Sequence, residues 1–370
     1  MMHYVVPAKP RLDLSLLFSM SRMRELPPPF NTRPTYYFSL ARNAIYHGIR
    51  ALGVSPGDTI LVPSFHCASV VDPILSCGAN VKFFNIHSDC SPDFSDLEAK
   101  IDRNVQAVLA IHYFGFPQPL HRLLKLCRAY NLYLIEDCAH VLSGEVNGSA
   151  LGMVGDISIF SWRKLLPLFD GGQLVINKPG FDIDISFEGN YRALFIIRVY
   201  RKIIVELSRL FRLPNSVTQR FLPKYRAHSK GFDISLVNLR MSRLSRYILR
   251  NTNISAIIEK RRSNYIFLLK ALESIKEVTP LFSELQQGVC PWLLPVLIEG
   301  RQDFREDLRS NGVDAFVWRG IFHHKLKLEK FPDANFLYQN LVLLPIHQSL
   351  NNLKLQTIIE VIDGLLHGKK

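Results

Sequence analysis

Lys164 stands in the run DISIFSWRKLLPLFDGGQLVI, after an apolar, strand-like stretch and shortly before the pair Gly171-Gly172. A lysine at the mouth of a strand, desolvated and near other cations, has its pKa lowered and becomes a nucleophilic amine toward an aldehyde. The glycine pair lets backbone approach where a side chain would collide. A lone lysine in a loop is ordinarily a solvated charge, so the weight of Lys164 comes from what precedes it. Upstream, LYLIEDCAH closes a buried strand with Glu136 and Asp137, followed by His140. A carboxylate in that place can pair with a ligand cation. Read from this motif alone, a strand-end Asp capping the next helix is the plainer explanation. The order and spacing of Asp137 ahead of Lys164 join the two motifs.

The elements that must position these residues alternate. Ser39 to Leu52 has helical spacing of apolar residues, Gly53 to Asp58 reads as a turn, and Thr59 to Val62 as a short strand. Further apolar runs follow at Val81 to Phe84, Val105 to Ile111, Leu132 to Ile135, Ile157 to Phe160 and Leu174 to Ile176, most separated by helical or loop segments. This pattern predicts an α/β fold, a largely parallel sheet covered by helices on both faces. In such sheets ligands bind outside the carboxyl ends of the strands, where Asp137 and Lys164 fall. Residues 1–38, with the Pro-rich PPPFNTRP, read as a lead-in packed on the main domain. Residues 39–240 read as the large domain and 241–370 as a small C-terminal α+β domain, with WLLPVLI, a helix from Arg301 to Asn311, LVLLPI and a closing helix from Leu353. A basic, helical insertion runs from about 185 to 230; in it Ile196, Tyr200, Ile203, Leu207 and Leu210 form one stripe opposite Arg198, Lys202 and Arg209.

With 370 residues, two domains are the starting assumption. Apolar residues at 48% and charged residues at 21% fit a soluble globular chain and exclude a disordered one. The 45 Lys and Arg against 32 Asp and Glu leave +13, which favours anionic partners such as phosphates, nucleotides or an acidic membrane surface. Scattered basic residues and the lack of a nucleic-acid-binding motif argue against nucleic acid. The six cysteines form no CxxC pair and have no metal-ligand spacing, so they read as reduced thiols in a cytoplasmic protein, and no metal is expected. The N-terminus makes a poor signal peptide, and no apolar run suits a membrane span.

Taken in order, ARNAIYHGIRALGVSPGDTILVPSF, VLAIHYFGFPQP, LIEDCAH, the Lys164 to Gly172 segment, VNLRMS and LVLLPIHQSL resemble the DegT-type aminotransferases, pyridoxal 5'-phosphate (PLP) enzymes that mostly aminate nucleotide-linked keto sugars. The resemblance spans about residues 39 to 365 and implies the fold-type-I PLP-transferase architecture. It implies Lys164 as the Schiff-base lysine, Asp137 as partner of the pyridine nitrogen, where it keeps the ring an electron sink, and His140 as the contact on the ring-hydroxyl side. Ser161 resembles the family's phosphate-binding serine, on a loop shortened before the lysine. Arg42, Asn43 and Ala44 match the family's small-residue turn, whose amides and hydroxyl hold the phosphate; Arg42 replaces a small hydroxyl residue. An aromatic over the cofactor ring follows Pro63 in the family. Here His66 is the candidate, with Phe65 in reserve, and Cys67 fills a position often aromatic. Asn238 in VNLRMS matches an asparagine that reaches the phosphate of the partner subunit, which implies a homodimer with a shared active site.

The implied reaction moves an amino group from an amino acid, glutamate in the first instance, to a nucleotide-linked keto sugar for polysaccharide biosynthesis. A non-catalytic PLP-fold scaffold, a PLP enzyme acting on a non-sugar ketone, or a dehydratase are the alternatives. His112 and Tyr113 suit packing as well as substrate contact, and the pair His323-His324 reads as a solvated loop without metal spacing. The basic stretch at 194–212 suits a helix packed in the dimer, with weak contact to an anionic membrane as a second reading.

Overall fold

The structure is a computed structural model that describes residues 6–12, 26, 29–146, 148–187, 196, 199–200, 203–204, 232–301 and 303–368. Its centre is a seven-stranded sheet of β1 (Thr35–Phe38), β2 (Thr59–Pro63), β3 (Asn80–Phe84), β4 (Val105–Ile111), β5 (Tyr133–Cys138), β8 (Ile157–Ser161) and β9 (Gly172–Ile176), in the order β1-β9-β8-β5-β4-β2-β3. The two-residue strands β6 (Glu145–Val146) and β7 (Ser149–Ala150) form a separate hairpin between β5 and β8. From β3 to β8 all pairings are parallel, while β9 runs antiparallel to both β8 and β1. The β4 run VQAVLAI is apolar but for one glutamine, and every residue of the β8 run ISIFS is buried, its two serines included, because both faces of these strands are covered.

After β2 the chain steps outward to β3 and then crosses back to β4 on the other side of β2. The connections leaving the carboxyl ends of β2 and β4 therefore run to opposite sides, the arrangement that leaves a crevice outside those strand ends. Helix α1 (Ala41–Ala51) lies against β8 and β9 and buries Asn43 through Ile49. Helices α2 (Ala68–Ser76), α3 (Phe94–Ala99) and α4 (Leu120–Ala129) follow β2, β3 and β4, and α5 (Trp162–Leu165) is a single turn between β8 and β9.

A second sheet, antiparallel, is built from β10 (Thr279–Pro280), β11 (Leu293–Leu297), β12 (Phe316–Val317) and β13 (Leu341–Pro345) in the order β10-β11-β13-β12. The helices Ile254–Leu272 and Asn352–His367 pack together, and the first also lies on β11. Both start at asparagine caps, Asn253 and Asn351, whose side chains accept a backbone N–H from the first turn.

Two features differ from the sequence expectation. The described part of the lead-in divides: Val6 bridges Val313, and the Pro7 carbonyl accepts from His347 at 2.8 Å, so residues 6–12 run along the C-terminal part of the molecule. Phe30, by contrast, packs on Phe160 and Trp162 of the large sheet region, and β1 is a strand of that sheet. Most of the basic stretch 185–230 lies outside the described residues, Leu207, Leu210, Arg198, Lys202 and Arg209 among them. Within it Ile196, Tyr200 and Ile203 are helical and exposed. Their side chains thus face away from this chain's own core.

Candidate active site

A cavity opens where the carboxyl ends of β4, β5 and β8 meet the start of α1 and the loop after β2. Ile111, Asp137 and Ser161 reach it from the three strand ends, Cys67 and Val70 from the loop and α2, and Ala41, Arg42 and Ile45 from α1. His140, Arg163 and Lys164 complete the polar lining, and Trp318 arrives from the C-terminal part. Arg42, Asp137, His140, Ser161 and Lys164 are thus brought together from positions more than a hundred residues apart.

Lys164 Nζ lies 3.0 Å from His140 Nε2 and 5.4 Å from the centre of the Trp292 ring. Burial lowers the pKa of Lys164, and the positive charges of Arg163 and Arg42 push the same way against the opposing pull of Asp137 and Cys67. Burial also raises the Asp137 carboxyl, with Lys164 opposing, and holds His140 well below the usual imidazole range. The shared direction is toward uncharged groups, the expected response of ionisable side chains withdrawn from water without a ligand charge to pair. Asp137 Oδ1 accepts the Ala139 N–H at 2.9 Å, which aims the carboxylate back over its own strand end.

The α1 end of the cavity is shaped by glycine. Ser161 pairs with Gly172 across the β8–β9 ladder. A Cβ on Gly172 would stand 2.2 Å from the Leu40 carbonyl carbon and 2.3 Å from the Ala41 nitrogen. The missing side chain therefore lets the first residues of α1 sit directly on β9, beside the Ser161 hydroxyl. Gly171, at φ 140°, donates its N–H to Ser39 O at 2.9 Å and fixes the same turn. The N-cap residue Leu40 contributes no side-chain cap, and the Ala41 and Arg42 amides have no acceptor among the described residues. A helix start with free N–H groups, an arginine and a hydroxyl together form a seat for a dianion.

Several expected residues are placed elsewhere. Asn43 and Ala44 sit one step too far into α1: both N–H groups are turned to Leu40 O, and the Asn43 amide donates to Leu236 O at 2.7 Å. His66 does not line the cavity. Its ring stacks on Phe83 at 4.9 Å, Nδ1 donates to Pro63 O, Nε2 accepts the His323 N–H, and burial lowers its pKa to about 4. Phe65 packs between Tyr113, Trp318 and Tyr338, also away from the cavity. Cys67 lines it in their stead. Asn238 lies next to His47 and outside its own chain's cavity. His323 is 4% exposed and 3.3 Å from Asp72 Oδ1, a buried residue rather than part of a solvated loop, although His324 beside it is exposed. His112 packs as a structural residue: Nε2 donates to Glu136 at 2.9 Å and Nδ1 accepts from Gln118 N–H. Glu136 in turn accepts the amides of Gly152, Val154 and Gly155. With Cys138 these two form a group whose ligand atoms lie within 4.8 Å of one another, but the hydrogen bonds already occupy the imidazole and the carboxylate.

Three residues from the C-terminal part carry no signal in the local sequence. Trp318 is the one tryptophan, tyrosine or phenylalanine in the cavity lining. Trp292 stacks on His140 at 4.3 Å and donates its indole N–H to Lys164 O at 3.1 Å. Arg261, fully buried, donates to Leu165 O, Trp292 O and Gln348 Oε1 at 2.8, 2.9 and 3.1 Å. The last carbonyls of a helix lack intrahelical donors. In α5 Trp292 supplies the donor to Lys164 O, and Arg261 together with Gln348 Nε2, at 3.4 Å, supplies those to Leu165 O. Asp170, buried just before the glycine pair, accepts from both the N–H and the hydroxyl of Ser242. That bond ties the DGG and VNLRMS motifs together.

Strand ends that converge on a buried lysine, with a carboxylate at depth and an anion seat at a helix start, define a PLP-dependent enzyme of the large α/β class. Comparison with known proteins gives the family. The chain belongs to the DegT/DnrJ/EryC1/StrS aminotransferase family, which it matches over residues 38–363. It is accordingly an aminotransferase, and its cofactor is PLP. GDP-perosamine synthase of Escherichia coli O157:H7 is 26% identical over 338 residues, which is 88% of this chain and 84% of that protein. GDP-perosamine synthase of Vibrio cholerae is 36% identical over 137 residues, 36% of this chain and 37% of that protein. Among solved structures, a putative sugar aminotransferase from Streptococcus pneumoniae in its PLP form superposes with a TM-score of 0.69 at 17% identity, covering 96% of this chain and 97% of that one.

The residues present fit the cofactor. The Arg42, Ser161 and α1 amide cluster suits its phosphate, the Lys164 amine its aldehyde carbon, and the Asp137 carboxylate its pyridine nitrogen. No helix of the described residues is long and apolar enough to cross a membrane.

Proposed function

We propose that this chain transfers an amino group from an amino-acid donor, glutamate in the first instance, to a keto sugar carried on a nucleotide, with Lys164 as the lysine that holds the cofactor covalently. The observation that carries this reading is the Lys164–His140 contact at 3.0 Å inside a cavity also lined by Asp137, Ser161 and Arg42. Perosamine synthases among the relatives support the sugar class.

When bound, PLP supplies an electron sink that stabilises negative charge at the substrate carbon. Asp137 would hold positive charge at the ring nitrogen, and Ser161, Arg42 and the α1 amides would hold the phosphate. Lys164, uncharged, would be the base that takes a proton from the substrate carbon and returns it. Arg163, exposed beside Lys164, and Arg42 give the cavity a surplus of positive charge that suits a substrate bearing phosphates. Asn238 from a second copy would complete the phosphate seat, which makes the active form a homodimer.

The purified protein supplied with PLP is expected to absorb in the visible region. Borohydride reduction should then leave the cofactor on the Lys164 peptide by mass spectrometry. Glutamate should bleach the visible band, and a nucleotide-linked keto sugar should restore it. A reduced cofactor on another lysine would remove Lys164 from this role. No visible band at any PLP concentration would support the scaffold alternative. A band restored by simple keto acids but by no keto sugar would exclude the sugar acceptor.

A further inference from the structure

We propose that Phe114 and His140 form a tautomer lock that presents Lys164 with a fixed hydrogen-bond donor, so that its amine rests uncharged and nucleophilic before the cofactor arrives. The lock's significance for catalysis rests on the reading of Lys164 as the cofactor lysine; its geometry does not. The backbone N–H of Phe114 points at His140 Nδ1 from 3.2 Å. A backbone amide only donates, so Nδ1 must present its lone pair, and the single proton of a neutral imidazole then sits on Nε2. That N–H faces Lys164 Nζ at 3.0 Å. The contact is a hydrogen bond only if Nζ accepts. An ammonium has no lone pair to accept with, whereas a free amine has one. The opposite arrangement, an ammonium donating to Nε2, would move the imidazole proton to Nδ1 and set it against the Phe114 N–H. An imidazolium would meet the same clash.

The fold goes to some length to aim that amide. Phe114 adopts the left-handed region, at φ 57° and ψ 14°, which bulky residues rarely occupy. Gly115 follows at φ 95°, where a Cβ would come within 2.5 Å of Cys290 O and 3.1 Å of His140 O. The Phe114 carbonyl accepts the Trp292 N–H at 2.7 Å, so the turn is threaded between His140 and the Cys290–Trp292 segment. The Trp292 ring stacks on the imidazole at 4.3 Å with 21° between planes, and the Phe114 ring runs parallel to it at 5.9 Å. The imidazole therefore has little freedom to rotate or flip.

The charged and titratable groups facing the pair are Asp137 from β5, Cys67 from the loop after β2, Arg163 of α5, Arg42 of α1 and His112 at the end of β4. Asp137 and Cys67 favour the ammonium, while Arg163 and Arg42 oppose it, and burial of the amine is the largest influence and favours the free base. The lock works in the same direction as burial.

The test uses the full chain, stripped of cofactor and labelled with 15N-histidine. The His140 signals, assigned by their loss in His140→Gln, are expected to show a pyridine-like Nδ1 and a pyrrole-like Nε2 across neutral pH. A protonated Nδ1, in either the other tautomer or an imidazolium, would overturn the proposal. Independently, reductive methylation with formaldehyde, read peptide by peptide, is expected to modify Lys164 at lower pH than the exposed Lys276. In His140→Leu the onset should move up, with about tenfold less reactive amine at a given pH below it, the worth of about one hydrogen bond. His140→Gln, which keeps a carboxamide donor, should restore most of that loss. A His140→Leu profile that superimposes on the wild type would equally sink the lock. If the spectra hold and borohydride places the cofactor on another lysine, the functional reading has failed and the lock has not.

Discussion

Replacing Gly172 with alanine would introduce a Cβ 2.2 Å from the Leu40 carbonyl carbon and 2.3 Å from both the Leu40 oxygen and the Ala41 nitrogen. Ordinary contacts of this kind begin at 3.4 Å, so the overlap exceeds an ångström. Its partners are backbone atoms, which cannot swing aside as a flexible side chain can. Either β9 bends away or the first turn of α1 lifts off the sheet. Overpacking a tight site costs about 1–3 kcal/mol. At roughly 2–4 °C per kcal/mol for a domain near this size, Tm of the cofactor-free protein is expected to fall by about 2–12 °C. The same movement would carry the Ala41 and Arg42 amides away from Ser161, so PLP affinity, measured by fluorescence titration, should weaken as well. Gly180→Ala is the control: it strains a positive φ, of 83°, but its Cβ would meet nothing within 4 Å. That variant should lose some stability through its backbone strain, which Gly172 at an ordinary φ does not have, and keep its affinity for PLP. A Gly172→Ala protein that melts and binds PLP like the wild type would refute the reasoning that this glycine seats the helix start.

Arg261→Met keeps most of the side-chain volume but removes the guanidinium donor from Trp292 O and Gln348 Oε1 and leaves Leu165 O with only the longer bond from Gln348 Nε2, at 3.4 Å. A loss of about 2–5 kcal/mol in denaturant unfolding is expected, with kcat reduced because the Lys164 turn loses the shorter of the two bonds that hold Leu165 O. For Glu136, burial pushes the carboxyl pKa up, but the His112 bond and the amides of Gly152 and Gly155 outweigh it and leave the net value below the ordinary one. Its contribution is therefore fully present above the unfolded-state pKa and disappears as pH falls through the folded-state value. Glu136→Gln should lower stability at neutral pH and flatten the acid limb of the stability profile, followed by thermal melts across pH. Gly364 lies exposed within the C-terminal helix, and a methyl group added there would meet nothing within 4 Å. Gly364→Ala should raise stability by about 0.5–1 kcal/mol, checked by chemical denaturation.

The parts of the site that are legible in the sequence share a physical property: each lies at the end of a buried strand or the start of a helix. Buried parallel strands are nearly continuous apolar runs, so their ends are conspicuous, and Asp137, Ser161 and Lys164 can be placed by counting from them. Arg42 is located by the start of α1. Asn43 and Ala44 fall one step too deep, because which amides stay free depends on where the cap falls, and Leu40 leaves no capping side chain to mark it. The choice between His66 and Cys67 turns on which of two neighbours faces inward after Pro63, and one residue of offset reverses that direction. Trp292, Trp318 and Arg261 belong to another category. Their partners are distant in the chain, and nothing in a local pattern distinguishes a tryptophan that caps a carbonyl from one that fills a core. His323 likewise takes its burial from Asp72, at the far side of the sequence.

The two clamps on α5 bear on how such chains can be recombined. Lys164 and Leu165 are encoded within the strand-rich first half, but their carbonyls are held by Trp292 and Arg261, more than ninety residues downstream. A chimera joined near residue 240 would keep every polar group of the cofactor cavity and still inherit its lysine turn from one parent and the anchors of that turn from the other. Exchange of C-terminal halves among relatives is thus constrained by compatibility at three side chains, Arg261, Trp292 and Gln348, that lie outside the cavity lining. Inheritance of the lysine turn is, in that sense, split across the gene.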